Sequence, residues 1–273
     1  MFEEFLLSKG MVGTFAIAAG GNFLRYCLFA SLGYLLFYII MKQRWQHMKV
    51  QSAAPGRKQL LREFLLSVMA FCIFGLEAII VFHPAILPYT QFYFDIHQHS
   101  MAWLGCSILL MIVIHDAYFY WMHRLLHSRL LYRTTHATHH TFNNPSPWAG
   151  YAFHPIEAIF EGGIIFVFAF DFPVHPLALF VFVLWSSFFV VGGHLGYEVY
   201  PKWLTNSKVG FYLNTSTNHN MHHKYYRGNY ALYFRWWDIG FNTTHKEYYK
   251  TLEEIQQRTA SMKQNPQSAA LNP

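Results

Sequence analysis

Charged residues and cysteines are both scarce in this sequence. Only 12% of its 273 residues are charged, whereas 53% are apolar and 19% are aromatic, a balance typical of chains that fold in a bilayer. The three cysteines, Cys27, Cys72 and Cys106, all lie within apolar runs. The sequence therefore excludes a disulfide framework and a cysteine-based zinc site, and it predicts that the cysteines are small core residues.

Signatures of several other protein classes are missing as well. Lys and Arg residues are scattered between apolar runs and form no block with stacking aromatics, so the net charge of +6 does not indicate a nucleic-acid partner. There is no glycine-rich dinucleotide fingerprint and no cysteine-rich iron–sulfur motif. The first residues, MFEEFLLSKG, lack the features of a cleaved signal peptide, so we expect the first apolar run to target the chain.

The apolar runs predict about four membrane elements. Residues 23–41, 64–82 and 101–121 are each long enough to cross a bilayer about 30 Å thick. Residues 156–170 and 177–191 are shorter and flank a turn with two prolines, so we interpret them as one helical hairpin that enters and leaves on one side. The predicted fold class is all-α, an integral membrane helical bundle with a helical cap.

One acidic residue, Glu77, interrupts the second of these runs. Acids inside membrane segments often mark substrate or proton pathways. We favour the interpretation that Glu77 is a carboxyl partnered inside the helix bundle over a role in binding substrate or protons.

The distribution of basic residues predicts the orientation of the chain. Residues 42–62 carry six Lys or Arg residues, whereas residues 83–100 carry none, so the first loop is cytoplasmic by the positive-inside rule. The third run and the hairpin then return the chain to that side, which places the cap and the histidine motifs in the cytoplasm. The end of the sequence, LNP, carries no retrieval signal, and we expect either a bacterial inner membrane or the endoplasmic reticulum.

The chain shows no internal repeat and no linker between domains. We interpret residues 1–251 as a single membrane-embedded domain whose chemistry-bearing motifs lie within residues 115–242. Residues 252–273 drift into the polar stretch KQNPQSAALNP and are interpreted as a C-terminal tail.

Histidines cluster where the apolar runs end. HRLLH places His123 and His127 four residues apart, so that both rings lean from one face of a helix. HATHH and NHNMHH add two triplets with spacings of three and four: His136, His139 and His140, and His219, His222 and His223. Because eight clustered imidazoles are costly to bury unpaired, we predict that they bind metal. Eight ligands exceed the needs of one ion, which favours two metals.

The type of ligand leaves the identity of the metal open, since imidazole suits iron, copper, nickel and zinc. A zinc-dependent membrane hydrolase is one alternative, but it needs a general base such as the Glu of HExxH, and none of the three motifs contains a carboxylate. A metal carrier is another, but it would place histidines and acids along the membrane spans.

From His115 to Asn242 the chain resembles the sterol desaturase and fatty acid hydroxylase superfamily, which consists of membrane-bound non-haem di-iron oxygenases. FYWMHRLLH, LYRTTHATHH and NHNMHH resemble the three histidine boxes of that family in their order and spacing. PSPWAGYAFHPIE, GHLGYE and RGNYALYFRWWD resemble its connecting signatures. The first of these signatures is most similar to the C5 sterol desaturase branch.

The resemblance implies a set of metal ligands. These would be the eight box histidines together with His194 of GHLGYE, in full His123, His127, His136, His139, His140, His194, His219, His222 and His223. Residues that would support the ligands without binding metal are His115, Asp116, His154, Asn218 and Asp238, although His115 and His154 could equally have structural roles. Four histidines on the predicted opposite side of the membrane, His83, His97, His99 and His175, would have no part in the site.

The resemblance also implies the chemistry. Two iron ions, replaceable by zinc in purified samples, would use O2 to hydroxylate or desaturate an unactivated C–H bond in a lipid, either a sterol or a fatty acyl chain. Because the sequence holds no recognisable redox module, the electrons would come from an external carrier similar to cytochrome b5 or ferredoxin. The motifs do not decide between hydroxylation and desaturation.

Overall fold

The computed structural model describes residues 8–264, and all the regular secondary structure in this range is helical. Within this range, β-type backbone pairing occurs as isolated bridges, such as the one between Lys49 and Tyr197. The predicted all-α class is therefore confirmed for the described residues. The last nine residues of the predicted tail, 265–273, lie outside this range.

Four long helices are apolar enough to cross a membrane. They are α1 (Gly10–Tyr34, continued by a π-helical turn at Leu35–Ile40), α2 (Arg57–Val81), α3 (Met101–Leu126) and a later helix, Pro176–Gly193. The prediction of about four elements is confirmed, although α1 begins 13 residues before the predicted run. Its first turns are rich in Ala and Gly, which are too weakly apolar to extend a hydrophobic run but do not interrupt a helix.

The predicted hairpin has helices on both sides of its proline-containing turn. Its first arm is divided at Gly163 into α5 (Pro155–Gly162) and α6 (Ile164–Asp171), and its second arm is α7 (Pro176–Gly193). A short helix, α4 (Ala137–His140), precedes the hairpin and carries the last four residues of the HATHH motif. The second arm by itself has the length and composition of a membrane span.

The chain forms two compact units. Among the described residues, unit 1 comprises residues 8–28, 64–139 and 151–188, and unit 2 comprises residues 29–63, 140–150 and 189–264. Neither unit is continuous in sequence, because α1, α2 and α7 each contribute residues to both. The sequence-based division at residue 251 falls inside a helix, Tyr248–Gln264, and that division stays a prediction.

Unit 1 has an aromatic core on its long helices. The ring of Phe71 contacts those of Tyr26 and Tyr151, with centroids 5.2 Å and 5.1 Å apart. Such pairs contribute about 0.5–1.5 kcal/mol each beyond the burial of their surface. Arg25 lies in the middle of α1, where its Nε donates to Ser187 Oγ at 2.6 Å, so its charged head is bound inside the unit.

Unit 2 is built from short helices that follow α7. They are α8 (Lys202–Thr205), α9 (Ser216–Tyr225), α10 (Trp236–Gly240) and α11 (Tyr248–Gln264). Met221 of α9 packs with Tyr248 and Leu252 of α11 in a buried apolar cluster. The helix that carries the third histidine motif is therefore held in place by the C-terminal helix.

Candidate metal centre

Three histidines meet in unit 1. His123 and His127 lie one turn apart on α3, and His136 immediately precedes α4. The Nε2 atoms of His123 and His136 are 3.0 Å apart, and one ring nitrogen from each of the three lies within 4.8 Å of the others. Two nitrogens that bind one ion at about 2.1 Å are themselves roughly 3.0–3.4 Å apart. The spacing of His123 and His136 is thus the spacing of two ligands on one metal.

A buried carboxylate orients the ring of His136 by bonding the ring nitrogen that does not face the other histidines. His136 Nδ1 donates to Glu157 Oε1 at 2.5 Å, and Glu157 is 0% exposed. This bond places the ring proton on Nδ1 and leaves the Nε2 lone pair for a metal, as outer carboxylates do for metal-binding histidines. Sequence reasoning missed Glu157, although it is the last residue of the PSPWAGYAFHPIE signature. His154, for which a supporting role and a structural role are equally expected, caps α5 by accepting a bond from the Ile156 amide.

Three further histidines meet in unit 2. His219 and His223 lie one turn apart on α9, and their Nε2 atoms are 3.0 Å and 3.2 Å from Nε2 of His194, which follows α7. His194 Nδ1 donates to the Val190 carbonyl at 2.7 Å. Burial lowers the pKa of His194 to about 4, so its ring is neutral and can bind metal through Nε2. The three rings are at most 5% exposed.

The remaining motif histidines have ring contacts and hydrogen bonds within their own units. In unit 2 the rings of His140 and His222 are 4.6 Å apart, and His222 Nδ1 donates to the Gly228 carbonyl at 2.8 Å. In unit 1 the ring of His139 stacks on that of His136 with centroids 5.4 Å apart, and its Nδ1 lies 3.4 Å from the Ala152 carbonyl. A carbonyl only accepts, so in each case Nδ1 is the donor and Nε2 is left for another partner.

Hydrogen bonds to backbone hold the α9 histidines in unit 2. Glu198 of GHLGYE accepts from the Thr217 amide at 3.2 Å and is buried at the beginning of α9. Asp238, a predicted supporting residue, accepts from the Tyr230 and Ala231 amides at 2.9 Å and 3.0 Å. It thereby fixes the loop whose Gly228 carbonyl orients His222.

The other predicted supporting residues have different surroundings. The side-chain amide of Asn218 is fully buried beside His219 and has no hydrogen-bond partner within residues 8–264. His115 and Asp116 are buried on α3, and the ring of His115 packs against Phe182 at 5.3 Å. They lie about two turns before His123 and belong to neither histidine group.

The four histidines predicted to have no part in the site lie elsewhere in unit 1. His83 and His175 each accept a bond from a backbone amide two residues later, at Ala85 and Leu177. His99 packs against the ring of Tyr93. In the described part of the chain, none of the four has a place in a group of potential metal ligands.

The known proteins to which this chain is similar have names that describe the oxidation of sterols. The family model described as fatty acid hydroxylase matches residues 108–243, which include both histidine groups. A Delta(7)-sterol 5(6)-desaturase of Gibberella zeae is 29% identical over 81% of this chain and 65% of its own length. Lathosterol oxidase of Mus musculus is 27% identical over 82% of this chain and 72% of its own length. A putative methylsterol monooxygenase of Dictyostelium discoideum is 28% identical, with coverages of 92% and 90%.

No solved structure matches the chain. The relatives named above all carry sterol-oxidising names, and the matched segment contains the motifs that the sequence singled out. Together with the four helices of membrane-spanning length, this makes the chain a multi-pass membrane protein. The chain is similar to the fatty acid hydroxylase family over residues 108–243, and the relatives named above include a sterol desaturase and a lathosterol oxidase.

Proposed function

We propose that this enzyme uses O2 to hydroxylate or desaturate an unactivated C–H bond in a lipid, at a histidine-bound di-iron centre supplied with electrons by an external carrier. The observation that carries the proposal is the pair of histidine triads, buried except for the partly buried His127, in which the Nε2 atoms of five of the six histidines lie 3.0–3.2 Å from that of a neighbour. The family and the sterol-oxidising relatives support the reaction class.

The residues present fit two metal ions. His123, His127 and His136 would hold one ion, and His194, His219 and His223 would hold the other, with His139, His140 and His222 as further candidate ligands. Two irons bound in this way would supply the activation of O2 and the removal of hydrogen from carbon. Zinc fits the same nitrogens but has no redox chemistry, so a zinc-loaded form should be inactive.

The chain's own part is to orient the ligands and to exclude water. Backbone carbonyls and Glu157 hold the Nδ1 atoms of the rings, and burial keeps bulk water from an oxidising site. A hydrolase would instead need a carboxylate aimed at a metal-bound water. Glu157 bonds the Nδ1 side of His136, away from its Nε2, and so is placed to support a ligand rather than to act as that base.

The metal content of the purified protein tests the number of ions. Detergent-purified protein from iron-replete cells should contain close to two metals per chain, iron and zinc combined, by elemental analysis against a protein standard. A ratio near one that persists after reloading with ferrous iron under argon would contradict the dinuclear proposal. Activity should follow the iron content and not the total metal content.

The supply of electrons gives a second test. Lys202, Lys208 and Lys224 are exposed in unit 2, on the side of the membrane that the sequence predicts to be cytoplasmic. Arg235, a further basic residue that follows the third histidine motif in the sequence, is 1% exposed and lies over the ring of Tyr248 at 4.1 Å, so it has no place in a docking surface. We propose that the three lysines bind an acidic carrier of the cytochrome b5 or ferredoxin type.

Carrier-supported turnover should therefore fall as salt rises, because attraction between exposed charges is screened over about 8–10 Å at ordinary ionic strength. The triple variant Lys202→Gln, Lys208→Gln, Lys224→Gln should need more carrier for half-maximal turnover in uncharged detergent. The double variant Lys42→Gln, Lys58→Gln removes exposed charge elsewhere in unit 2 and is the control. Salt-independent turnover, or an unchanged carrier requirement in the triple variant, would reject this docking surface.

A further inference from the structure

The residue that ends α9, Tyr226, has a left-handed backbone conformation. Its φ is 62°. A side chain makes this conformation unfavourable, and glycine or asparagine usually takes it at the end of a helix. The other non-glycine residues with positive φ in the described range, Asn229 and Asn242, are both asparagines. Backbone preference therefore does not account for a tyrosine at this position, and the contacts of its side chain must.

The side chain of Tyr226 packs on a motif histidine within unit 2. Its ring and that of His140 have centroids 5.3 Å apart and planes inclined at 64°. His140 is 2% exposed, whereas Tyr226 is partly exposed. The tyrosine ring therefore covers one side of His140 and itself reaches the surface. The ring of His140 also contacts those of His222 and His223 on α9, with centroids 4.6 Å and 5.0 Å away.

The hydroxyl group of Tyr226 is bound to the segment that carries His140. It donates to Asn143 Oδ1 at 2.5 Å, and Asn143 lies three residues after His140. Gln51 holds the same segment, because its Nε2 donates to the Asn143 carbonyl and to Asn220 Oδ1 of α9, each at 2.8 Å. These bonds fasten the segment after α4 to α9, and they keep the tyrosine ring in contact with His140.

A histidine ring needs an outside contact to fix its plane. The last torsion of the side chain is broad, so the rotamer alone leaves the direction of the ring nitrogens open. Glu157 fixes this direction for His136, and the Gly228 carbonyl fixes it for His222. At His140 an inclined aromatic ring, that of Tyr226, restricts the rotation of the imidazole.

We propose that Tyr226 is a positioning residue whose ring holds the imidazole of His140 in the orientation that binds one of the two metal ions. The inference rests on the proposed function, because it takes His140 as a metal ligand. It adds a residue that none of the three histidine motifs contains. The tyrosine adopts an unfavourable backbone conformation because its ring then reaches His140, whereas glycine and asparagine have no ring to place there.

Zinc binding by variants without the ring tests this role, since zinc requires neither electrons nor O2. Tyr226→Gly and Tyr226→Asn suit a positive φ but lose the ring. Each variant would be purified in uncharged detergent, stripped of metal and titrated with zinc against a chelator. One of two zinc equivalents should bind about 10- to 100-fold more weakly than in wild type, and the other should bind unchanged. Wild-type affinity for both equivalents in both variants would overturn the proposal.

Two further variants separate the ring from the backbone. Tyr226→Phe keeps the ring and loses only the hydroxyl group, so its zinc affinity should lie closer to that of wild type than to that of Tyr226→Gly. Asn242→Gly places glycine at another position with positive φ, which is exposed, and should bind both equivalents as wild type does. A Phe variant as weak as the Gly variant would show that the ring does not position His140.

The stability of the metal-free protein distinguishes positioning from a structural role. Relief of the backbone strain offsets the lost packing, so metal-free Tyr226→Gly should melt within about 4 °C of wild type. A larger fall, together with weaker binding of both zinc equivalents, would assign Tyr226 a structural role and overturn the proposal. The visible absorption of cobalt-loaded protein depends on the number and arrangement of the ligands. It should change in Tyr226→Gly and be retained in Tyr226→Phe.

These measurements separate the inference from the function on which it rests. A protein that binds two zinc ions and holds one of them weakly in Tyr226→Gly, but oxidises no lipid when loaded with iron, would contradict the proposed function alone. An enzyme that oxidises lipid, and whose Tyr226→Gly variant binds both zinc equivalents as tightly as wild type, would contradict the role of Tyr226 alone.

Discussion

Replacing any one histidine of the two triads with alanine should reduce lipid oxidation to less than about 1% of the wild-type rate and lower the metal content of the protein. The six residues are His123, His127, His136, His194, His219 and His223. Each contributes a ring nitrogen that lies within 4.8 Å of those of the other two members of its triad, so a missing ring would leave an ion with an incomplete and distorted ligand set. Product formation should be measured by mass spectrometry and normalised to the amount of folded protein.

Histidines of unit 1 outside the triads are the matched controls. His99→Ala and His175→Ala should retain most of the activity and the full metal content, because their rings contact Tyr93 and no triad histidine. His115→Ala removes a buried ring from α3 and should lower the melting temperature while the metals are retained. If His99 or His175 proved as indispensable as a triad histidine, either the predicted topology or the assignment of ligands would be wrong.

Removing the carboxylate of Glu157 should weaken the binding of one metal and leave the other in place. Loss of a carboxylate behind a metal-binding histidine typically lowers metal affinity 10- to 100-fold. Glu157→Gln keeps an oxygen that accepts from His136 Nδ1 but loses the charge, whereas Glu157→Ala loses both. Metal release to a chelator should therefore be fastest in the Ala variant, intermediate in the Gln variant and slowest in wild type.

The stoichiometry of release distinguishes a local effect from general unfolding. One equivalent of metal should be lost quickly and the second at the wild-type rate, because His194 is oriented by the Val190 carbonyl and not by Glu157. Glu161→Gln, one turn further along α5, is the control and should release both metals as wild type does. An Ala variant with unchanged release of both metals would show that Glu157 does not support a metal ligand.

Local patterns in the sequence were sufficient to predict much of this architecture. The hydrophobic runs predicted the last residue of α2 to within one position and the first residue of α3, because membrane-length apolar segments form helices. At their other ends both helices extend beyond the runs into polar sequence. The turn with two prolines predicted the division between α6 and α7. The beginning of α1 was missed, since Ala and Gly near its start are compatible with a helix but add little to hydropathy.

Residues that act through distant contacts could not be found in this way. Glu157 and His136 are 21 positions apart, and no spacing rule relates a carboxylate in a connecting segment to a histidine ring. Arg235 looks like a surface charge in the sequence, but the folded chain buries it against Tyr248. His154 looks like a site residue because of its type, although its ring caps a helix.

The sequence by itself determined that this protein is a helical membrane protein with grouped histidines that resembles the fatty acid hydroxylase family, because composition, hydrophobic runs and short motifs are properties of neighbouring residues. Only the tertiary structure decided which ring nitrogens converge, which atom orients each ring, and that the carboxyl of Glu77 has no hydrogen-bond partner among the described residues. These features depend on side-chain directions and on contacts between segments far apart in the chain. Such contacts arise when helices pack, and they leave no regular spacing in the sequence.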